Sequence, residues 1–465
     1  MIRALVTTLT LTLLAALPAR AIDIQEVTSP GGLTAWLVED HSIPFVALSI
    51  AFRGGASMDA PGKRGAVNLM TATLEEGAAD MDATAFAEAA QSLAARFSFD
   101  AGDDAVTVGA RMLTENRDQA ADLLRAALVE PRFDADAVDR VRTQVQSVIR
   151  SEETDPNAIA GNRLARALWG DHPYGSSLNG TIDSVAALTP DDLRAAKDRV
   201  LARDRAIVAA AGDITAEELG ILIDRVLGDL PAQASAPLPP PAELLARGGT
   251  TVIEWDSPQT VVAFAQKGLP MDDPDYFAAF VLDHVLGGGG FSSRLMAEIR
   301  EERGLTYGVG TGLVNKRLGE TWQGGMATAN DRTAEAVALL REVWGGMKDG
   351  VTEQELADAK TYLTGEYPLR FDGNGKIANI LVGMQLMELP RDYVNTRNDK
   401  VEAVTLADVE RVAERVLDES ALQVVLVGRP EGIEADPVAH APDSAASTGA
   451  AAMEGATVDT PAAVN

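Results

Sequence analysis

Two tandem, structurally similar α+β domains are what this sequence predicts, on three observations. With 465 residues the chain exceeds one ordinary domain and suits two of about 200 residues, each large enough for its own core. The same order of elements occurs twice, offset by about 215 residues. A Pro- and Ala-rich stretch, 231–248, lies between the copies.

The first 21 residues place Arg3 ahead of an apolar run, then Pro18 and the small-x-small triplet Ala19, Arg20, Ala21. That is the pattern of a secretory signal peptide cleaved before Ile22. The run is too short for a comfortable membrane span and no other stretch qualifies, so an exported, periplasmic chain with no membrane span is expected.

In the first domain, 22–230, the apolar strand VALSIAFRGG (46–55) precedes a helix starting near Gly65. In the second, 249–430, TVVAFAQKGL (260–269) precedes a helix starting near Asp275. In both, alternation of apolar residues gives way to 3.6-residue spacing. Each copy continues with a charged amphipathic helix, 134–149 and 352–367, and closes with a further helix and a buried strand. Thr189 and Thr405 stand at the N-cap positions of those closing helices, with Asp192 and Asp408 three residues on. The proline run of 231–248 favours an extended, semi-rigid connector over a packed element. Residues 431–465 lack periodicity and are expected to be a disordered tail.

A net charge of -29, from 69 acidic and 40 basic residues, repels nucleic acid and anionic lipid and argues against both as partners. The chain has no cysteine, which removes disulfides, zinc-thiolate sites and thiol nucleophiles. Its four histidines, His41, His172, His284 and His440, include no two within five residues, so a helical histidine pair for zinc cannot form. His284 is the histidine most expected to be buried, as a structural residue. Gly287, Gly288, Gly289 and Gly290 follow a helix and match neither phosphate-loop pattern, which favours a flexible turn over a phosphate site.

Three stretches carry a resemblance: GGGGFSSRLMAEIREERGLTYGV (287–309), AARFSFDAGDDAVTVGARMLTENRDQAADLLRAALVEPRF (94–133) and HPYGSSLNGTIDSVAALTPDDL (172–193). Together, and in this order, they resemble the pitrilysin (insulinase-like) zinc metallopeptidases, over nearly all of the chain from 22 to about 430. The resemblance implies two domains, each an antiparallel-rich sheet packed with helices.

Active members carry an inverted motif, His-x-x-Glu-His, on a helix. Its two histidines share a face and reach one Zn²⁺, the Glu acts as general base on the metal-bound water, and a later Glu supplies the third ligand. In the matching helix Asn68, Thr71 and Ala72 stand at the His, Glu and His positions, and Ser147 and Val148 occupy the region of the later Glu. Glu152 and Glu153, nearby, read as solvated surface charge. No metal or cofactor is therefore expected on this chain, with zinc expected in a partner subunit.

The resemblance also implies that an Arg and a Tyr seven residues apart reach from the second domain or a partner subunit towards the zinc. Arg300 and Tyr307 match that spacing, with Arg294 and Arg303 as weaker candidates. Guanidinium and phenol can both donate to a peptide carbonyl or to the oxyanion formed from it. The glycines 287–290 are similar to a substrate-touching loop of related non-catalytic subunits. The expected function is thus that of a non-catalytic, substrate-binding subunit of a heteromeric exported zinc metallopeptidase, pairing with a zinc-bearing subunit as a heterodimer or larger complex and acting on peptides. A peptide-binding or scaffolding module with no peptidase activity is the alternative, and a peptidase using other residues of this chain is a third reading.

Overall fold

The computed structural model describes residues 22–433. The expected signal segment 1–21 and the expected tail from 434 onwards lie outside the described residues. The chain forms two sheets of the same plan. In the first half the strands are β1 (Gln25–Thr28), β2 (Thr34–Glu39), β3 (Phe45–Arg53), β4 (Arg96–Ala101), β5 (Ala105–Leu113) and β6 (Ala206–Gly212), in the order β1-β2-β6-β3-β5-β4. In the second half β7 (Gly249–Glu254), β8 (Gln259–Lys267), β9 (Thr306–Lys316), β10 (Gly319–Ala329) and β11 (Gln423–Gly428) take the order β7-β11-β8-β10-β9. Each sheet holds one parallel pair, β2 with β6 and β7 with β11, and is otherwise antiparallel. Within these two sheets the small edge strand β1 is the one strand without a counterpart, and a two-stranded ribbon of 77–78 with 81–82 is added in the first half.

The longer helices are α1 (Ala66–Ala72), α2 (Ala83–Ser92), α3 (Arg117–Val129), α4 (Ala135–Glu152), α5 (Pro156–Trp169), α6 (Pro190–Val200) and α7 (Ala216–Leu227) in the first half, with one short turn of helix at Ile182–Ala186. The second half holds α8 (Tyr276–Asp283), α9 (Thr333–Gly346), α10 (Glu353–Glu366), α11 (Asn374–Leu386), α12 (Tyr393–Ala403) and α13 (Leu406–Val416). Thr189 and Thr405 form full capping boxes with Asp192 and Asp408, satisfying orphan N–H groups at the starts of α6 and α13.

Strand alternation explains how the sheets are covered. Along β3, Val46, Leu48, Ile50 and Phe52 point into the first core with α1 and α3, while Ala47 and Ala51 point to the opposite face. That opposite face is rich in alanine, with Ala209 and Ala211 of β6 beside them, so a helix can approach closely. The helix that does so is α11, from the second half: its Leu381, Val382 and Met384 pack with Ala51, Ile207 and Ala209. The reciprocal contact also exists. From the first half, α5 sets Ala160, Leu164 and Leu168, four residues apart on one face, against Ala265, Val425 and Val427 of the second sheet. Each half therefore covers one face of its sheet with its own helices and the other with a helix of its neighbour.

Polar contacts follow the same seam. The β9–β10 turn enters the first half, where Lys316 pairs with Asp103 at 2.6 Å and the Arg317 N–H donates to Asp104 at 2.8 Å. Tyr174 donates to Asp104 and accepts from the Leu318 N–H at 3.1 Å. The connector has no helix or strand between Leu227 and Gly249, yet it is pinned to both halves. Its Ser235 N–H donates to Asp198 O (2.9 Å), Ala242 N–H to Leu318 O (2.6 Å) and Leu245 N–H to Leu168 O (2.8 Å). Proline extends this stretch and bound backbone holds it down. At the C-terminal end the Glu431 N–H returns to Asn330 O at 2.9 Å and Ile433 packs on the second core, so ordered structure continues past 430.

Candidate functional site

The matching helix of the zinc motif, α1, is short for local reasons. Gly65 at its N-cap has φ +94°, where a side chain is strained, and the Asp59 carboxylate accepts from the N–H groups of Gly65 (2.9 Å) and Val67 (2.8 Å). Arg64 clamps the entry, donating to the carbonyls of Ala56, Pro173, Ser176 and Ser177. At the other end the Thr71 and Thr73 hydroxyls donate back to Val67 O (2.8 Å) and Leu69 O (2.5 Å).

The donor set on this helix does not fit zinc. Asn68 donates its amide to Asn179 Oδ1 (2.8 Å), the Thr71 hydroxyl is committed to the helix backbone, and Ala72 has no donor atom. Among the described residues no three or more His, Cys, Asp or Glu side chains converge as a metal site. What occupies the place instead is a chain of hydrogen bonds. Asn179 passes from Asn68 to Glu152 Oε1 (2.6 Å), and Ser177 donates to Glu152 Oε2 (3.2 Å).

This corrects the reading of Glu152 as solvated surface charge: it is half-buried and tied to α1 through Asn179. Only Glu153 is exposed. Helical phase is the reason. Val145 and Ile149 of α4 face the core shared with α1, and Glu152 lies one turn further along that face, whereas Ser147 and Val148 point to solvent. Asn179 carried no signal of its own in the sequence, because its role depends on a loop folding back over α1.

In the second half, the structure brings Arg300 and Tyr307 together. The Arg300 guanidinium lies over the ring of Phe291 at 4.5 Å and over that of Tyr307 at 5.5 Å. Tyr307 is 90% exposed and Phe291 is exposed beside it. The neighbouring arginines are engaged elsewhere. Arg294 makes a two-pronged pair with Glu355 (2.7 and 2.8 Å), holding that carboxyl down at about 2, and Arg303 pairs with Glu298 at 2.7 Å. Arg300 enters no ion pair among the described residues, and its side-chain contacts there are the two rings.

The backbone here departs from ordinary helix. Residues His284–Gly288 and Met296–Glu302 each form a wide π turn, a local form enriched at functional sites. Gly304, at φ +59°, ends the second and lets β9 turn back so that Tyr307 reaches Arg300. Neither π turn has a period that a sequence pattern reveals. The glycine run is packed, in contrast to the flexible turn expected. A Cβ on Gly287 would sit 2.5 Å from the Thr311 hydroxyl and 2.9 Å from its backbone N, and one on Gly288 would sit 2.5 Å from Asp283 Oδ2. Gly289 would meet the His284 carbonyl at 2.6 Å, and only Gly290 faces open space, with φ +57°.

Beneath this turn Asp283 is buried and accepts from Thr311 Oγ1 (2.7 Å) and Trp322 Nε1 (2.6 Å). Burial outweighs both hydrogen bonds and pushes its carboxyl up to about 6. His284, buried as expected, stacks on Tyr362 at 4.9 Å, and burial lowers its affinity for a proton. Because the folded value of Asp283 lies above the unfolded one, its contribution is most favourable below about pH 4 and is lost as pH rises through about 6. Relative to Asp283→Asn, the wild-type chain should gain about 1 kcal/mol of stability between pH 7 and pH 5. Denaturant melts of both chains across that range check this, and parallel curves would contradict it.

Comparisons with known proteins agree with this geometry. Residues 34–182 match the family model described as Insulinase (Peptidase family M16), and residues 187–363 match the one described as Peptidase M16 inactive domain. The chain is 27% identical over 404 residues to the non-peptidase homolog YmxG of Helicobacter pylori, covering 86% of this chain and 93% of that protein. It is 26% identical over 407 residues to an uncharacterized zinc protease of Mycobacterium leprae, covering 86% and 91%. Among solved structures, the peptidase M16 inactive domain from Pseudomonas fluorescens superposes with a TM-score of 0.82 at 29% identity, covering 90% of this chain and 100% of that one. A protease from Helicobacter pylori shares the fold, with a TM-score of 0.79 at 17% identity, over 87% and 99%. Two sheets of one plan, a motif helix whose side chains do not fit zinc, and an insulinase-type unit followed by an inactive-domain unit lead to one conclusion: the chain belongs to peptidase family M16, as a non-peptidase homologue.

Proposed function

We propose that this chain is the substrate-binding, non-catalytic subunit of an exported heteromeric zinc metallopeptidase, in which a zinc-bearing partner performs the hydrolysis and Arg300 and Tyr307 complete its active site. The observation that carries the reading is the free guanidinium of Arg300 held between Phe291 and the 90% exposed Tyr307. Exposed aromatic rings beside an unpaired guanidinium suit a ligand that offers both apolar surface and a carbonyl oxygen. The motif positions Asn68, Thr71 and Ala72 support a division of labour, since they offer zinc no ligand while Arg300 and Tyr307 can donate to an oxyanion.

Peptide is the fitting substrate class. The strand β4 is a sheet edge, alternates exposed and half-buried residues, and packs beside α1, so an extended chain can add to it by backbone hydrogen bonds. No helix among the described residues is long and apolar enough to cross a membrane.

Gentle isolation from the native source tests the reading. A stoichiometric companion with an intact His-x-x-Glu-His helix, whose peptide hydrolysis is lost when this chain is stripped away, is the expected result. Isolation of this chain alone, binding peptide without any peptidase companion, would favour the scaffolding alternative.

A further inference from the structure

On the face of the first sheet opposite its main core, α11 covers β3 and β6 but leaves β4 and β5 open. A cavity of about 640 Å³ lies there, between those two strands, the neighbouring part of β3 and the face of α11 that runs from Gly375 to Leu386. Three cations line it: Arg96 on β4, Arg111 on β5 and Lys376 on α11. Arg96 and Arg111 are directly opposite each other in the antiparallel register. Like charges so placed destabilise a strand pair, and a chain with 69 acidic residues has ample means to neutralise them. Yet none of the three cations has an ion-pair or hydrogen-bond partner among the described residues. Asp100 is the carboxylate in the lining, and it pairs with none of them.

The α11 end adds to the positive field. The Arg111 guanidinium rests against the first turn, with one nitrogen 2.9 Å from where a Cβ on Gly375 would stand. No side chain caps that turn and no acidic residue lies in it. All three cations are exposed at the cavity wall, and together with the uncapped helix start they make a local positive field with no carboxylate of the chain paired to it, which an anion would complete.

We propose that this cavity binds a carboxylate of a peptide extended along β4, with Arg96, Arg111 and Lys376 as its ligands. The proposal rests on the peptide-binding reading above and narrows its substrate class to peptides that present a carboxylate, from the C-terminus or from an Asp or Glu side chain. A guanidinium can take a carboxylate through two parallel hydrogen bonds, and the free edge of β4 supplies the backbone register.

Fluorescence anisotropy with the full chain distinguishes the outcomes, using labelled ten-residue peptides of one neutral sequence. One ends in a free acid, one in an amide, and one in an amide with a single internal Glu. The wild-type chain should bind at least one carboxylate peptide about tenfold more tightly than the neutral amide, and Arg96→Gln with Arg111→Gln should abolish the difference. Preference for the free acid assigns the C-terminus, and preference for the Glu peptide assigns a side chain. The melting temperature of the double variant should equal or exceed the wild type, because a like-charge pair is gone. Equal binding of all three peptides would overturn the carboxylate site while leaving peptide binding intact. Binding of none would remove both readings together.

Discussion

In a peptidase reconstituted from this chain and the proposed zinc-bearing partner, replacing Arg300 by Ala and Tyr307 by Phe together is expected to lower kcat by about 10² to 10³, with KM changed far less. The magnitude is that of losing oxyanion donors, which act on charge formed only in the transition state and so leave ground-state binding largely untouched. Arg300→Lys should recover only part of the loss, since an ammonium keeps the charge without the planar fork. Folding should be little affected, because the Tyr307 side chain is exposed and Arg300 contributes only ring contacts to the chain's own structure. Steady-state kinetics beside thermal melts separate the two effects. Unchanged peptide hydrolysis by the double variant would end the trans-acting role.

The second large effect concerns stability. Leu381→Ala should cost about 3 kcal/mol, within the range for emptying a fully buried leucine site, because Leu381 is 0% exposed between α11 and the first sheet. The unusual expectation lies in where the loss is felt. Leu381 belongs to the second half of the sequence and its contacts, Ala51, Ile207 and Ala209, to the first. Denaturant unfolding should remain one transition, shifted to a lower midpoint by circular dichroism and tryptophan fluorescence alike. Two separated transitions would show that the halves melt independently. Val148→Ala, at a half-exposed site on α4, should shift the midpoint by less than about 0.5 kcal/mol.

The sequence made the duplicated α+β plan readable because each copy keeps its period: alternating in β3 and β8, helical afterwards, with Thr189 and Thr405 as caps. It also made the zinc positions readable, since Asn68, Thr71 and Ala72 decide donor chemistry by identity alone. What it concealed depended on tertiary geometry. Glu152 faces α1 by helical phase, and its partner Asn179 arrives on a loop held by Arg64. Phe291 joins Arg300 only because two π turns change the course of the chain, and no local pattern encodes a π turn. The pairing of Arg96 with Arg111 needed strand register, which follows from the β4–β5 hairpin rather than from either residue.

The exchange of α5 and α11 has a mechanical meaning. Most two-domain chains with an exposed proline-rich connector can open about it, because the surfaces on either side part without loss. Here opening would strip one helix from each sheet and expose alanine-rich strand faces made for close contact. The connector is also sewn to Leu168 and Leu318, one on each side. The two halves of the described chain are thus braced as one stiff body, and bending at the connector would cost the contacts of both exchanged helices at once.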